Sequence, residues 1–269
     1  DAWLGRRQEM VDEYQEPSGS LRPWPDRPLL SGDLLDGRFR RLRELGRGGM
    51  SVVYEAEDTH TGRTLALKTL LPHLQEDQET RRRFTREVLF SQEHEHPNLL
   101  RSERSFEDGQ GNLWLPMKLF VRGTLQEWTG SAQPPEARLR KWVSDIARGL
   151  EALHAKGTVH RDLKPSNIFV GDDEDHTLVV ADFGLAFFGD QSRLSRTGQQ
   201  MGSEPYFAPE RFSHPDDAIA AWDLYSLGLI VHELKKGVLP RSGVAGHGLE
   251  AHWAELVRAL TDEEPAERP

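Results

Sequence analysis

The chain changes pattern partway along its length, and that change constrains the fold more than any other feature. From Phe39 the apolar residues fall in short runs that suit strands, and from Glu136 they fall at helical spacing. Val52-Val53-Tyr54 and Thr64-Leu65-Ala66-Leu67-Lys68 are the clearer strand signals, with Thr61-Gly62 as the turn between them. Arg38–Leu45 carries apolar residues at every third position, a weaker signal. Arg81–Glu93 reads as a helix and Asn112–Leu119 as a further strand, which together make a small sheet with one helix. Over Glu136–Lys156 the residues Leu139, Val143, Ile146, Leu150 and Leu153 step by four and three along one helical face. Pro134-Pro135 precede this helix and Gly157 ends it. Asp217–Lys236 is apolar on most faces, as a buried helix must be, and Leu249–Leu260 is amphipathic. Strands first and helices after predict an α+β fold of two lobes.

Residues 1–36 differ from the rest. Pro17, Pro23, Pro25 and Pro28 sit among Trp3, Trp24 and several arginines, so a short helix over Ala2–Tyr14 followed by a Pro-rich linker is expected. Such a segment reads as a flexible arm, or as one that packs its tryptophans on the body of the chain or on a partner. The 269 residues leave room for two lobes sharing a core, and a composition of 36% hydrophobic and 29% charged residues is that of a soluble globular protein. A net charge of −10 disfavours a nucleic-acid surface. No apolar run is long enough to span a bilayer. With no cysteine, disulfides and thiolate metal sites are excluded, which fits a cytoplasmic setting. The first residue is Asp1, so a piece of a longer protein is expected, and a missing signal peptide or membrane anchor here carries no weight.

The run His160-Arg161-Asp162-Leu163-Lys164-Pro165-Ser166-Asn167 holds an acid, a lysine and an amide within six residues, and Asp182-Phe183-Gly184 follows. A site that moves a phosphoryl group needs a carboxylate to orient a hydroxyl, a cation for the phosphate and oxygen ligands for magnesium. The chain has seven lysines, and two of them, Lys68 and Lys164, stand where a compact, mobile ammonium is wanted rather than a planar guanidinium. Upstream, Gly46-Arg47-Gly48-Gly49-Met50-Ser51-Val52-Val53 lies between two strands. Glycines there let a backbone hairpin approach phosphates and aim its N–H groups at them. Gly202-Ser203-Glu204-Pro205-Tyr206-Phe207-Ala208-Pro209-Glu210 follows downstream.

In this order the motifs resemble the protein-kinase family, whose catalytic loop has the form H-R-D-L-K-P-x-N. The resemblance covers about residues 37–269 and is most like the eukaryotic-type serine/threonine kinases of bacteria, on Gly49-Met50-Ser51, Lys164 and Ser203. It implies a small antiparallel β lobe with one main helix over residues 37–119, and a larger helical lobe over 120–269 whose last helix is cut short at Pro269. The implied activity is transfer of the ATP γ-phosphate to Ser or Thr hydroxyls of proteins, with magnesium, or manganese in its place. Asp162 would orient the hydroxyl and take its proton, and Lys164 would meet the γ-phosphate. Asn167 and Asp182 would hold the metal. Lys68, fixed by Glu87, would hold the α- and β-phosphates. Leu45 and the loop Gly46, Arg47, Gly48, Gly49, Met50 and Ser51 would cover the nucleotide. Val53 and Ala66 would roof the adenine with Phe169 below it, Met117 would guard the back of the pocket, and Lys118-Leu119-Phe120 would bond the adenine edge through backbone. Asp223 would sit in the buried helix, and Arg268 would pair with Glu210.

Two positions depart from the family pattern. Ser51 stands where the loop has its last glycine, and Ser91 stands where kinases place an apolar residue that packs against the helix's active position. Both would suit a rival reading, a pseudokinase acting as an ATP-binding switch or scaffold. A small-molecule phosphotransferase is a second rival, but those enzymes generally lack the Ala-Pro-Glu segment present here. Arg161, beside the catalytic Asp, implies control by phosphate on the activation segment, with Ser192, Ser195 and Thr197 as candidate acceptors beside Arg193 and Arg196. Glu93-His94-Glu95-His96 and His232-Glu233 are declined as metal sites: His96-Pro97-Asn98 is accounted for as a turn, and His232 lacks a second histidine at helical spacing.

Overall fold

A computed structural model describes residues 34–93, 95–129, 133–182, 205–213, 219–240 and 245–269. The expected N-terminal arm with its helix, Phe183-Gly184, the three candidate phosphate acceptors, Gly202-Ser203-Glu204, His94 and the first residues of the helix expected from Asp217 lie outside the described residues.

The first half is a six-stranded sheet of order β1-β2-β3-β4-β6-β5, in which every pair is antiparallel. Its strands are β1 (Leu34–Leu35), β2 (Phe39–Arg47), β3 (Ser51–Asp58), β4 (Arg63–Leu70), β5 (Phe106–Glu107) and β6 (Leu113–Met117). Strand β1 lies within the segment expected as the arm, and pairs with Phe39 and Arg40. The weak signal of β2 has a physical cause: register shifts between Arg41 and Arg43 and between Glu44 and Gly46 break its alternation. Strand β3 alternates half-buried and buried without a fault, whereas β4 is buried on both faces from Leu65 onward. Strand β6 is shorter than expected. Beyond β5 its outer neighbour at Pro116 is an irregular segment, where Glu103 donates its N–H to Pro116 O at 2.8 Å. Proline is tolerated there because its nitrogen, like its carbonyl, faces the irregular segment, so no ladder bond to β4 is lost.

Helix α1 (Gln78–Glu93) starts three residues earlier than its apolar pattern suggests, because Asp77 Oδ1 accepts the N–H of Thr80 at 2.7 Å and caps it. It packs Phe84 and Val88 against Leu70, Leu113 and Leu115 of the sheet. Helix α2 (Glu136–His154) ends two residues before the expected Lys156, and Gly157 takes the left-handed φ of 69° that closes it. Helix α3 (Ala220–Lys236) begins after Ile219, which is extended, and is closed by Gly237 at φ 74°. Helix α4 (Ala251–Leu260) completes the set of four α-helices among the described residues.

One apolar core runs from Ala66 and Met117 of the sheet through Leu139, Ile146, Leu150 and Leu153 of α2 to Leu227, Ile230 and Leu234 of α3 and Val257 of α4. A two-stranded ribbon, β7 (Ile168–Val170) with β8 (Leu178–Val180), lies within it. The ribbon is tied back to the segment after α1: Leu100 N–H bonds Val180 O at 2.8 Å, Val180 N–H bonds Asn98 O at 2.9 Å, and Asn98 Nδ2 bonds Leu178 O at 2.9 Å. Helix α2 approaches this junction so closely that a Cβ on Gly149 would stand 2.8 Å from Asn98 O, so the crossing requires glycine. The junction sets where the chain leaves β8 at Asp182.

Candidate active site

Lys68 sits in the middle of β4, opposite Val53 of β3 and Leu115 of β6. Its side chain is 3% exposed, and its Nζ lies 2.7 Å from Glu87 Oε1 and 2.6 Å from Asp182 Oδ1. The sheet, helix α1 and the end of β8 each supply one of these three charges. Burial alone lowers the Lys68 ammonium, but the carboxylates of Asp182 and Glu87 outweigh it and hold the pKa above the ordinary lysine value. Burial raises Asp182, and the charge of Lys68 reverses that and holds it below the carboxylate range. Glu87 is raised by burial, which Lys68 only partly offsets, and its Oε2 is buried without a hydrogen-bond partner among the described residues.

The catalytic-loop residues hang from helix α3. Asp223, 1% exposed, accepts the N–H groups of His160 and Arg161, both at 2.8 Å, and the ring of His154 at 2.7 Å. Asp162 N–H is directed at His160 Nδ1, which leaves His160 Nε2 as the protonated nitrogen that donates to Ala181 O at 2.9 Å. Arg161 and Asp182 have left-handed φ of 66° and 61°, a strained geometry for side-chain-bearing residues. The Asp223 carboxylate holds the first through its amide. Arg211 donates to Arg161 O from the other side, with its guanidinium 3.6 Å from the Phe207 ring centroid.

Lys164 Nζ lies 3.1 Å from Asp162 Oδ2. Asn167 Nδ2 donates to Asp162 O at 2.8 Å and to Asp162 Oδ2 at 3.1 Å. With its amide nitrogen turned to Asp162, Asn167 has its carbonyl oxygen left for a ligand. Together with the Asp182 carboxylate this is a pair of hard oxygens of the kind a magnesium ion takes. The Asn167 backbone carbonyl, a different oxygen, accepts the N–H of Ala181 at 2.9 Å, which ties the asparagine to the residue before Asp182.

The apolar residues expected around the nucleotide converge. Ala66 and Met117 are paired across β4 and β6 and belong to the main core, and Leu45, Val53, Leu119 and Phe169 pack against it. Phe169 stacks on Phe120, with centroids 4.9 Å apart and planes 6° from parallel. The glycine-rich loop is the β2–β3 hairpin: Arg47 pairs with Val52, and Gly48 N–H bonds Ser51 O at 2.8 Å. Arg47 turns its guanidinium to Glu44, with Nη2 2.6 Å from Oε2. Met50 O accepts the N–H of Leu71 at 2.9 Å. Ser51, the departure from glycine, opens β3 in ordinary strand pairing with Leu70.

The profile of the protein kinase domain matches residues 39–266. The chain belongs to the protein kinase family. Over 239 residues the kinase domain is 30% identical to the probable serine/threonine-protein kinase PknB of Lactococcus lactis, a match covering 87% of this chain and 37% of that protein. It is 35% identical over 221 residues to the serine/threonine-protein kinase PknH of Mycobacterium bovis (80% and 36%), and 36% identical over 224 residues to PknE of the same organism (82% and 38%). The chain thus spans little more than a third of the length of these relatives.

In the kinase domain the expected pair is formed: Arg268 reaches Glu210 with Nη1 at 2.5 Å from Oε1 and Nη2 at 3.1 Å from Oε2. Sequence reasoning missed the contact of His154 with Asp223, although a histidine one step past the Leu150–Leu153 stripe could have suggested it. It also missed the ring stacking of Phe120 and the role of Arg211. Nothing in their neighbourhoods in sequence signals either. His96 Nδ1 accepts the N–H of Asn98 at 3.2 Å, and His232 Nδ1 accepts that of Gly246 at 3.0 Å. Glu136, Glu250 and His252 form an exposed cluster, but Lys235 Nζ already lies 3.4 Å from Glu136 and 3.2 Å from Glu250.

Proposed function

We propose that this domain transfers the γ-phosphoryl group of ATP to Ser and Thr hydroxyls of protein substrates. The observation that carries the proposal is the position of Lys68 Nζ, 2.7 Å from Glu87 and 2.6 Å from Asp182, the residue that follows Ala181, whose N–H bonds the Asn167 backbone carbonyl at 2.9 Å, and on whose carboxylate the charge of Lys164 acts. Lys68 binds the α- and β-phosphates, with Glu87 holding the ammonium in place, and the N–H groups of the glycine-rich hairpin cover the phosphates. Leu45, Val53, Ala66, Met117, Leu119 and Phe169 enclose the adenine. Asp162 accepts the proton of the substrate hydroxyl as its oxygen bonds to the γ-phosphorus and the bond to ADP breaks, while Lys164 balances the charge on the transferring group. Asn167 and Asp182 would hold magnesium, or manganese in its place, and the bound ion neutralises charge on the phosphate oxygens. ATP supply and the absence of cysteine from the chain support a cytoplasmic setting. No helix among the described residues is long and apolar enough to cross a membrane.

Incubation with labelled ATP, magnesium and a generic protein substrate should label Ser and Thr. Lys68→Met should abolish the label, because it leaves Glu87 and Asp182 without their cation and the phosphates without theirs. A wild type that binds ATP but transfers nothing would leave the switch or scaffold reading in its place.

Regulation runs through Arg161 in the same reading. Burial, and then the neighbouring charge of Arg211, lower the Arg161 guanidinium below its ordinary pKa, so an anion arriving there would be stabilised. Mass spectrometry after incubation with ATP is expected to find phosphate on Ser192, Ser195 or Thr197. Full activity with all three unmodified would rule this control out.

A further inference from the structure

Ser91 is the residue that breaks the family pattern on the helix carrying Glu87, and the structure gives it a partner. Ser91, 3% exposed, and Ser102, 5% exposed, face each other with their Oγ atoms 2.5 Å apart. Ser91 Oγ also donates to Val88 O at 2.9 Å. A serine hydroxyl has one hydrogen, so Ser102 is the donor between the two and Ser91 the acceptor. The result is a directed chain, from the Ser102 hydroxyl to the Ser91 hydroxyl to the carbonyl of Val88, the residue after Glu87. Two further bonds run alongside it: Ser102 N–H to Ser91 O at 3.3 Å, and Gln92 Nε2 to Glu103 O at 2.9 Å. The segment they hold is fixed on its other side to β6, where Ser102 bridges to Met117 and Glu103 donates to Pro116 O at 2.8 Å.

We propose that the buried Ser102–Ser91 hydroxyl pair is the positioning device that holds helix α1 with Glu87 against Lys68, in place of an apolar contact. Ser102 and Ser91 touch no reacting atom. They act through the helix. The inference rests on the reading of Glu87 and Lys68 given above. An apolar contact tolerates sliding, since dispersion varies little over small shifts, whereas a hydroxyl pair is satisfied at one distance and direction only. Rotation or retreat of α1 therefore strands the buried Ser102 donor, while Ser91 keeps its bond to Val88 O within the helix, and this makes the inward position of Glu87 more sharply defined.

The direction of the chain sets the order of the effects. In Ser102→Ala, Ser91 keeps its bond to Val88 O and loses only an incoming donor. In Ser91→Ala, the Ser102 donor is left buried with nothing to bond, the costlier defect. Ser91→Ala should lower kcat about tenfold, since an unsatisfied buried donor is worth about that factor in the inward fraction of the helix. Ser102→Ala should lower it less. The double substitution, which removes both hydroxyls, should be no worse than Ser91→Ala alone. Ser102→Thr, which keeps the hydroxyl, should restore activity, and KM for ATP should move less than kcat throughout.

Hydrogen exchange of the Glu87–Gln92 amides gives a readout independent of catalysis, and should speed up in Ser91→Ala while the amides of α3 stay unchanged. Unchanged kcat and unchanged exchange in Ser91→Ala would overturn the proposal, as would additive losses in the double variant. Glu87→Gln, run in parallel, separates the two levels. If that variant is inactive while Ser91→Ala is fully active and protected, the hydroxyl pair has no positioning role. If Glu87→Gln is fully active, the role of Glu87 itself fails.

Discussion

Asp162→Asn is expected to lower kcat about a hundred- to ten-thousand-fold, the range of a positioned general base, with little change in ATP affinity. Asp162 is placed by groups that an asparagine does not disturb: its backbone carbonyl and Oδ2 accept from Asn167, and its N–H is directed at His160. The nucleotide contacts assigned to Lys68 and the glycine hairpin lie on other elements. The substitution therefore removes a proton acceptor and the charge that faces Lys164 Nζ at 3.1 Å, and leaves the backbone contacts of the loop in place. Single-turnover transfer measured beside the equilibrium binding of ATP checks this. Transfer at the wild-type rate would remove Asp162 from its assigned role, and loss of ATP binding together with transfer would mean that the loop had collapsed instead.

Arg268→Ala is expected to cost about 3–5 kcal/mol of folding stability, as when one partner of a buried ion pair is removed. The guanidinium is fully buried and makes five hydrogen bonds, two to Glu210, one to Ala221 O and two to Asp262 O. Its loss leaves a carboxylate and two carbonyls short of donors in one place. Arg268→Lys should recover part of the stability, since an ammonium keeps the charge but not the planar fork that reaches both Glu210 oxygens. Urea denaturation of the three proteins decides it. A loss below about 1 kcal/mol would place the pair with ordinary surface bridges.

Much of this was legible from residue order. The strand and helix signals marked each major element, and their errors have local causes: bulges in β2, the Asp77 cap of α1 and the extended Ile219 before α3. Strands β1, β5, β7 and β8 were not legible, because strands of two or three residues have no periodicity to read. Ser91 could be flagged as a departure, but Ser102 could not be named as its partner. Nothing within a helix says which segment will lie across from it.

By itself the sequence determined the parts that act over short range. Asp162, Lys164 and Asn167 fall within six residues, so one loop brings them together whatever surrounds it. The periodicity of α2 settled which of its faces is buried, and the apolar residues on most faces of α3 settled that it is buried, because burial of apolar area depends on the pattern and not on the partner. Only the tertiary structure decided the meeting of charges. Lys68 reaches Glu87 across 19 residues and Asp182 across 114, and Asp223 holds His160 across 63. Those distances close only when the sheet, α1, β8 and α3 pack on one core. A buried charge is stable only where packing has already placed its partner.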